Sequence, residues 1–370
     1  MESNNYSISS LSEKALIERI IKLSKGRKST LKGEYFNLIG DDCSVIRFED
    51  KYLISTSDML IESHHFPEEM SFFDRGFKAV TVNVSDLASM GAKPLGILIS
   101  IGLYKDLKLS EFDEIFEGIL SACDFYNIAL LGGDTNDADE IIITGTAFGY
   151  TEKEPMMKYG LNIGDLVCLT GNIGFAALGF ELLNRDEYKI YNQSIQANQS
   201  NQVNQGQSYQ NNCDIVEYSI SMALKPIAKI YEGQILLDSN VKVATDITDG
   251  LGSELESLLE SDKKYYFANN QTDESSYNKG IRIYEEKLDI SKDYLEISDN
   301  LDLDTLELKL NIGEDFELLF IIPFELKDSL NKLLDFKVIG EVIDKNTLEI
   351  VLSDGDIVNL STKGYDHFKS

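Results

Sequence analysis

The chain has 370 residues, a length that fits two domains, and at 43% hydrophobic it can bury ordinary cores. Its formal net charge of −29 and pI of about 4.4 argue against nucleic acid or an anionic membrane as a partner, since both need basic patches. Cys43, Cys123, Cys168 and Cys213 show no C-x-x-C spacing, the apolar run Leu318–Phe324 is too short to span a bilayer, and no signal peptide is visible, so the expected compartment is a reducing cytoplasm.

Residues 1–10 are polar and are expected to fray. Ser12 then caps a helix striped by Ala15, Leu16, Ile20, Ile21 and Leu23. Gly26–Lys32 is a basic loop that lacks the G-x-x-x-x-G-K-[ST] spacing of a Walker A loop. Gly40-Asp41-Asp42-Cys43 turns into a strand at Ser44–Phe48, and a second strand, Tyr52–Thr56, runs out in Ser55-Thr56-Ser57-Asp58. A loop with Glu62, His64, His65 and Pro67 follows, and by themselves both histidines read as solvated loop residues. Phe77, Val80, Val84, Leu87 and Met90 recur at helical spacing over 76–91, a helix closed by Gly91. Asn83 and Asp86 share a face of this apolar helix, where a carboxylate is costly unless a cation or hydrogen bonds meet it.

Pro94 precedes a strand at Ile97–Leu103, and Ser110 is expected to cap a helix reaching Tyr126. The short strand Ile128–Leu131 ends in Gly132-Gly133-Asp134-Thr135, and Ile141–Tyr150 is another strand. Strands alternating with helices predict an α/β first domain over 1–150, with 151–370 as a second α/β domain. There, strand Leu166–Thr170 enters the turn Gly171-Asn172-Ile173-Gly174 before a helix. Its backbone N–H groups could meet a phosphate, or it could be a tight turn with no ligand. Residues 185–215 are Asn/Gln-rich and read as a disordered insertion, and Ser261–Gly280 is a second polar stretch. A helix at about Ser219–Asp238 and a strand at Val241–Ala244 lie between them. Thr245-Asp246-Ile247-Thr248-Asp249-Gly250 leads into helix Leu251–Glu260, and Gly313-Glu314-Asp315 precedes strand Phe316–Ile322.

Asp42, Asp58, Asp134 and the Asp246/Asp249 pair stand in Gly- or hydroxyl-rich turns beside short apolar strands, and Asp86 stands on the apolar helix. Strand ends of an α/β sheet gather in space, and gathered carboxylates do not all stay ionised without cations. Oxygen-rich sets of this kind suit Mg²⁺, which in turn points to phosphate substrates.

The ordered set GDDC (40–43), ISTSD (54–58) with His65 after it, VNVSDLASMGAKP (82–94), LLGGDT (130–135), TDITDGL (245–251), GEDFELLF (313–320) and KGYDHF (363–368) resembles thiamine-monophosphate kinase, of the aminoimidazole-ribonucleotide synthetase superfamily. The resemblance covers nearly the whole chain apart from the two polar stretches. It implies phosphorylation of thiamine monophosphate to thiamine diphosphate by ATP with several Mg²⁺, in a homodimer whose N-terminal domains pair through their sheets. Matching positions imply metal ligands at Asp42, Thr56, Ser57, Asp58, Asp86, Asp134, Asp246 and Asp249, with Asp58, Asp134 and Asp246 at the catalytic centre. They imply nucleotide contacts at Gly133, Asp134, Thr248 and Lys158, and acceptor contacts at His65, Glu314 and Tyr365. Tyr104, at a strand end, is a further candidate for stacking on the base. The chain departs from the family pattern with Lys158 in place of an Arg and Ala176 in place of a Ser. Rival readings are another ATP-using member of the superfamily and an acidic metal-binding protein without catalysis. Residues 1–39 lack the cysteine a selenophosphate synthetase would need.

Overall fold

The computed structural model describes residues 12–24, 34–37, 41–185, 207–270, 276–288 and 291–360. The expectations for 1–10, for Gly26–Lys32, for most of the Asn/Gln-rich insertion and for the closing KGYDHF segment fall outside these residues.

In chain order, α1 (Glu13–Ser24) is followed by β1 (Glu34–Asn37), β2 (Ser44–Phe48), β3 (Lys51–Ile61), the single turn α2 (Glu62–His65), α3 (Phe72–Ser89), β4 (Lys93–Leu103), α4 (Leu109–Tyr126), β5 (Ala129–Asp137) and β6 (Ile142–Thr151). These strands form one sheet in the order β1-β2-β3-β6-β4-β5, antiparallel except for the β4–β5 pair that α4 connects. The second sheet has the order β13-β12-β9-β11-β7-β10-β8, built from β7 (Leu166–Leu169), β8 (Val243–Asp246), β9 (Gly280–Tyr284), β10 (Leu318–Ile322), β11 (Lys337–Ile343), β12 (Leu348–Val351) and β13 (Ile357–Asn359). Around it run α5 (Phe175–Leu183), α6 (Gln207–Leu224), α7 (Ile230–Asp238), α8 (Leu251–Asn270), α9 (Lys292–Asn300) and α10 (Thr305–Leu310). No helix among the described residues is long and apolar enough to cross a membrane.

α3 is the element on which the two halves meet. Ser71 caps it, accepting from the Asp74 N–H at 3.1 Å, so the helix starts a turn earlier than the apolar spacing alone suggests. Gly91 ends it at φ +69°, a left-handed conformation that suits glycine. Val80, Val84 and Leu87 are fully buried, and α3 packs on β3 and β6 of the first sheet as well as on α7 and β8 of the second half. Its closest neighbour is α4. A Cβ on Gly76 would lie 2.0 Å from the Ile115 carbonyl oxygen, and one on Gly118 would lie 1.9 Å from that of Phe73. The two helices touch backbone to backbone through these glycines.

Several boundaries differ from expectation. The TSD of β3 and the GGDT of β5 are mid-strand, because ladder pairing continues through them. Ser110 lies inside the first turn of α4; Lys108 is the N-cap, and its N–H donates to the Glu111 carboxylate at 3.0 Å. The insertion read as disordered over 185–215 contains the start of a helix at Gln207. The segment to Asp238 is two helices, α6 and α7, separated by a non-helical stretch that includes Pro226. The second polar stretch is helical to Asn270, since α8 runs ten residues beyond Glu260.

Gly118→Ala tests the helix contact. The added methyl has no room without parting α3 from α4, so stability should fall by about 1–3 kcal/mol or more, read as a lower midpoint in urea unfolding.

Candidate active site

β3 alternates. Ile54, Thr56 and Leu60 turn inward and are buried, with Asp58 half-buried on the same side, whereas Leu53, Ser57 and Met59 are exposed on the other. Thr56 and Asp58 therefore face Asp86 on α3. The Thr56 hydroxyl donates to Asp86 Oδ2, and the Asp58 N–H donates to the Asn83 side-chain oxygen at 3.2 Å. One turn beyond Asp86, the Ser89 hydroxyl donates to Asp42 Oδ2 at 2.8 Å. From the second half, the end of β8 brings Asp246, which accepts from the Ser85 hydroxyl. Carboxylate oxygens of Asp42, Asp86 and Asp246 all lie within 4.8 Å of one another.

Lys158 enters this group because the residue before it, Met157, bridges to Val243 of β8. Its Nζ lies 2.5 Å from Asp42 Oδ1 and 3.6 Å from Glu254 Oε2, and its backbone N–H donates to Asp41 Oδ2 at 3.1 Å. Burial by itself would lower the Lys158 ammonium, but Asp42 and Glu254 outweigh it and hold it well above its ordinary range. Burial pushes the carboxyls the other way. Asp86 stands well above the usual carboxylate range from burial and then from Asp58, Asp246 and Asp42, and Asp246 stands well above it from burial and then Asp42. Burial is also the main cause that lifts Asp41 and Asp58 to about 6 and Glu254 to about 7. Asp249 is exposed at the rim, near enough for its charge to raise Asp58 and Glu254.

The donor set fits a hard divalent cation: three clustered carboxylates, with hydroxyls beside them, that burial and mutual repulsion leave short of compensating charge.

Residues 40–151 match the family model for AIR synthase related protein, N-terminal domain. Across nearly the whole chain, the thiamine-monophosphate kinase of Methanocaldococcus jannaschii is 33% identical, with 86% of this chain and 91% of that protein covered. That of Pyrococcus abyssi is 31% identical over 94% of this chain and 97% of that protein. The chain belongs to the thiamine-monophosphate kinase family. A solved structure described as AaThiL complexed with AMPPCP and TMP superposes with a TM-score of 0.77 at 26% identity, covering 99% of this chain and 100% of that one. The hydrogenase maturation protein in a HypE-HypF complex shares the fold, with a TM-score of 0.64 at 16% identity.

The positions taken from the thiamine-monophosphate kinase motifs fall into three groups. Asp42, Thr56, Asp58, Asp86, Asp246 and Lys158 converge, and Thr248 borders them through its hydroxyl, 3.5 Å from Glu254 Oε1. His65 and Glu314 are brought together by Lys78, whose Nζ donates to the His65 carbonyl at 3.0 Å and to Glu314 Oε2 at 2.5 Å. The others stand apart. The Ser57 side chain is on the far face of the sheet, where its hydroxyl donates to the Gly145 carbonyl at 2.9 Å, so strand alternation removes it from the expected ligand set. Gly133 and Asp134 are exposed on the edge strand β5. The register Asp58↔Gly145↔Ile99↔Gly133 sets them three strands from Asp58, about 14 Å at the usual interstrand spacing. Tyr104 stands among Glu62, Arg75, Glu111 and Lys108, toward the other end of α3 from Asp86, which does not fit the base-stacking expectation. Tyr365 lies outside the described residues.

The Gly-rich turn is occupied by the chain itself. The Gly174 N–H donates to both oxygens of Asp315, at 3.0 and 2.9 Å, so a carboxylate sits where a phosphate was one expectation. Asp41, Glu254 and Lys78 were missed in the sequence. Asp41 had a signal, as the first acid of GDD; the two helical residues had none beyond an ordinary charged position.

Burial raises the Asp315 carboxyl to about 8, against the pull of the Gly174 and Ala176 N–H groups. Its folded value is above its unfolded one, so it favours the folded state most at low pH, and that contribution is lost as pH rises toward and through 8. The melting temperature of the metal-free protein should therefore fall between about pH 6 and pH 9. Asp315→Asn should flatten that fall in a pH series of thermal melts.

Proposed function

We infer that this chain transfers the γ-phosphoryl group of ATP to a phosphate oxygen of thiamine monophosphate, giving thiamine diphosphate and ADP. The observation that carries the reading is the convergence of Asp42, Asp86 and Asp246 from both halves of the chain, with Lys158 lodged among them. Family membership supplies the substrates, and the solved relative that holds AMPPCP and TMP supports the pairing of donor and acceptor.

Asp42, Asp86 and Asp246, with Asp58 and the Thr56 hydroxyl beside them, would hold Mg²⁺, and Asp249 stands at the rim of the same group. When bound, the metal would neutralise phosphoryl oxygens and orient the triphosphate. Lys158 adds a positive charge against the nucleotide phosphates, and Thr248 borders the same space. As lysine it acts as a point charge without the bidentate fork of an arginine. Gly133 and Asp134 are assigned to the nucleotide side on their motif alone. His65 and Glu314 hold the acceptor. Because the acceptor oxygen is already anionic, no strong general base is required, and rate comes from positioning two anions in line and from screening their charge.

Residues 1–150 form the metal, nucleotide and dimerisation domain in this reading, and 151–370 the second domain. The homodimer would form on the open side of the first sheet, where Leu53 and Met59 are exposed, and along β5 with its exposed Leu131. The buried free cysteines 43, 123 and 168 agree with a cytoplasmic location.

The direct test is formation of thiamine diphosphate from ATP and thiamine monophosphate, with thiamine as the control acceptor; equal turnover of thiamine would overturn the acceptor assignment. Asp58→Asn should cut turnover by about a hundredfold or more. It should also shrink the thermal stabilisation given jointly by Mg²⁺ and AMPPCP, which at a hundredfold excess over Kd is about 2.7 kcal/mol. Asp50→Asn, exposed in the β2–β3 turn, should do neither.

Lys158→Ala should raise KM for ATP more than KM for thiamine monophosphate in steady-state assays. A like effect on both would remove Lys158 from the nucleotide site.

A further inference from the structure

α3 carries one buried cation that the reading above leaves without a task. Lys78 is fully buried, and its ammonium has two acceptors, the His65 carbonyl at 3.0 Å and Glu314 Oε2 at 2.5 Å. His65 belongs to the segment between β3 and α3, whereas Glu314 is 236 residues further along the chain. The Glu314 backbone is fixed independently, since its N–H donates to the Thr248 carbonyl at 2.8 Å and it adopts φ +65°. The side chain of Glu314 is 27% exposed while that of Lys78 is 1% exposed, so the carboxylate turns one side to the buried ammonium and keeps another toward solvent.

Seven residues along α3, the Ser85 hydroxyl donates to Asp246 of the second half. Residues seven apart return to the same face of a helix. One face of α3 thus grips the second half twice, at Glu314 through Lys78 and at Asp246 through Ser85. The rise of a helix sets about 12 Å along its axis between Lys78 and Asp86.

We propose that Lys78 is a positioning residue for the acceptor: by tying Glu314 and the His65 segment to the helix that carries Asp86, it fixes where thiamine monophosphate stands relative to the metal and the nucleotide. The proposal rests on Glu314 belonging to the acceptor site. A buried ammonium that served stability alone would give a different result on removal, because lost stability has no reason to distinguish one substrate from the other.

The test is a double-mutant cycle of Lys78→Met and Glu314→Gln, read as kcat and as KM for each substrate, together with the thermal shift given by Mg²⁺ and AMPPCP. Lys78→Met should raise KM for thiamine monophosphate at least about tenfold, with KM for ATP and the joint thermal shift close to those of the unmodified enzyme. The double variant should be no worse than Glu314→Gln, because the two residues act as a unit. Equal rises in both KM values, a loss of kcat with neither KM changed, or additive effects in the double variant would overturn the proposal. If Glu314→Gln leaves KM for thiamine monophosphate unchanged, the acceptor assignment itself fails and the proposal falls with it. Should Lys78→Met not fold, the cycle is run with Lys78→Arg, whose planar head does not reproduce the contacts of a compact ammonium. A rise in acceptor KM that disappears in the Glu314→Gln background supports the proposal, and no rise, or additivity, overturns it.

Discussion

Uncompensated negative charge in a buried place is the constraint on which this structure depends. Asp42, Asp86 and Asp246 crowd within 4.8 Å, with Asp41, Asp58 and Glu254 around them, and Lys158 is the cation in contact with the group. One ammonium does not balance so many carboxylates. In the chain alone the deficit is met by holding protons, which is why the shifts of Asp41, Asp58, Asp86, Asp246 and Glu254 all run upward. An arrangement that costs folding energy and is built from both halves of the chain makes sense as a receptor for positive charge and for the phosphates that accompany it.

The fold meets this constraint through a helix with two characters. α3 is apolar where it meets the first sheet and α4, yet it places Lys78, Asn83, Ser85, Asp86 and Ser89 where each finds a partner. Polar groups on a buried helix are tolerated only when they are hydrogen-bonded. Here the partners come from β3, the GDD turn, β8 and the Glu314 loop, so satisfying the helix and assembling the site are the same event. The backbone contact through Gly76 and Gly118 keeps α3 from shifting against α4, which would misplace all of these contacts together.

Much of this was legible in the sequence, for identifiable reasons. Asp86 was conspicuous as a carboxylate on an apolar helix, and Asp42, Asp58 and Asp246 as acids in short polar segments between apolar ones. Ser57 was misassigned because a motif such as TSD does not announce which members share a face; the two-residue period of β3, longer than expected, decides that. Lys78 and Glu254 were invisible because a charge on an amphipathic helix reads as solvated until the partner elements are known. The helix beyond Glu260 was missed because its outer residues are polar, although Asp262 within it is buried and accepts from the Gly160 and Leu161 N–H groups at 2.8 and 3.0 Å. That bond is long-range in sequence, and it holds the segment that presents Lys158.

Asp315 bears on how phosphate charge is met elsewhere. A helix N-terminus behind a Gly-rich turn is a ready anion site, but here the Gly174 N–H is already committed to an internal carboxylate. The same loop aligns with the acidic segment, with the Glu314 N–H on the Thr248 carbonyl and the Phe316 N–H on that of Ile247. Its acids are thereby divided between two tasks: Asp315 faces inward and anchors the loop on the start of α5, which leaves Glu314 partly exposed beside Lys78. With that helix terminus filled, the positive potential for a triphosphate has to come from Lys158 and from cations gathered by the carboxylates. An acidic chain can bind polyanionic substrates in this way because its own carboxylates recruit the charge that the substrates require.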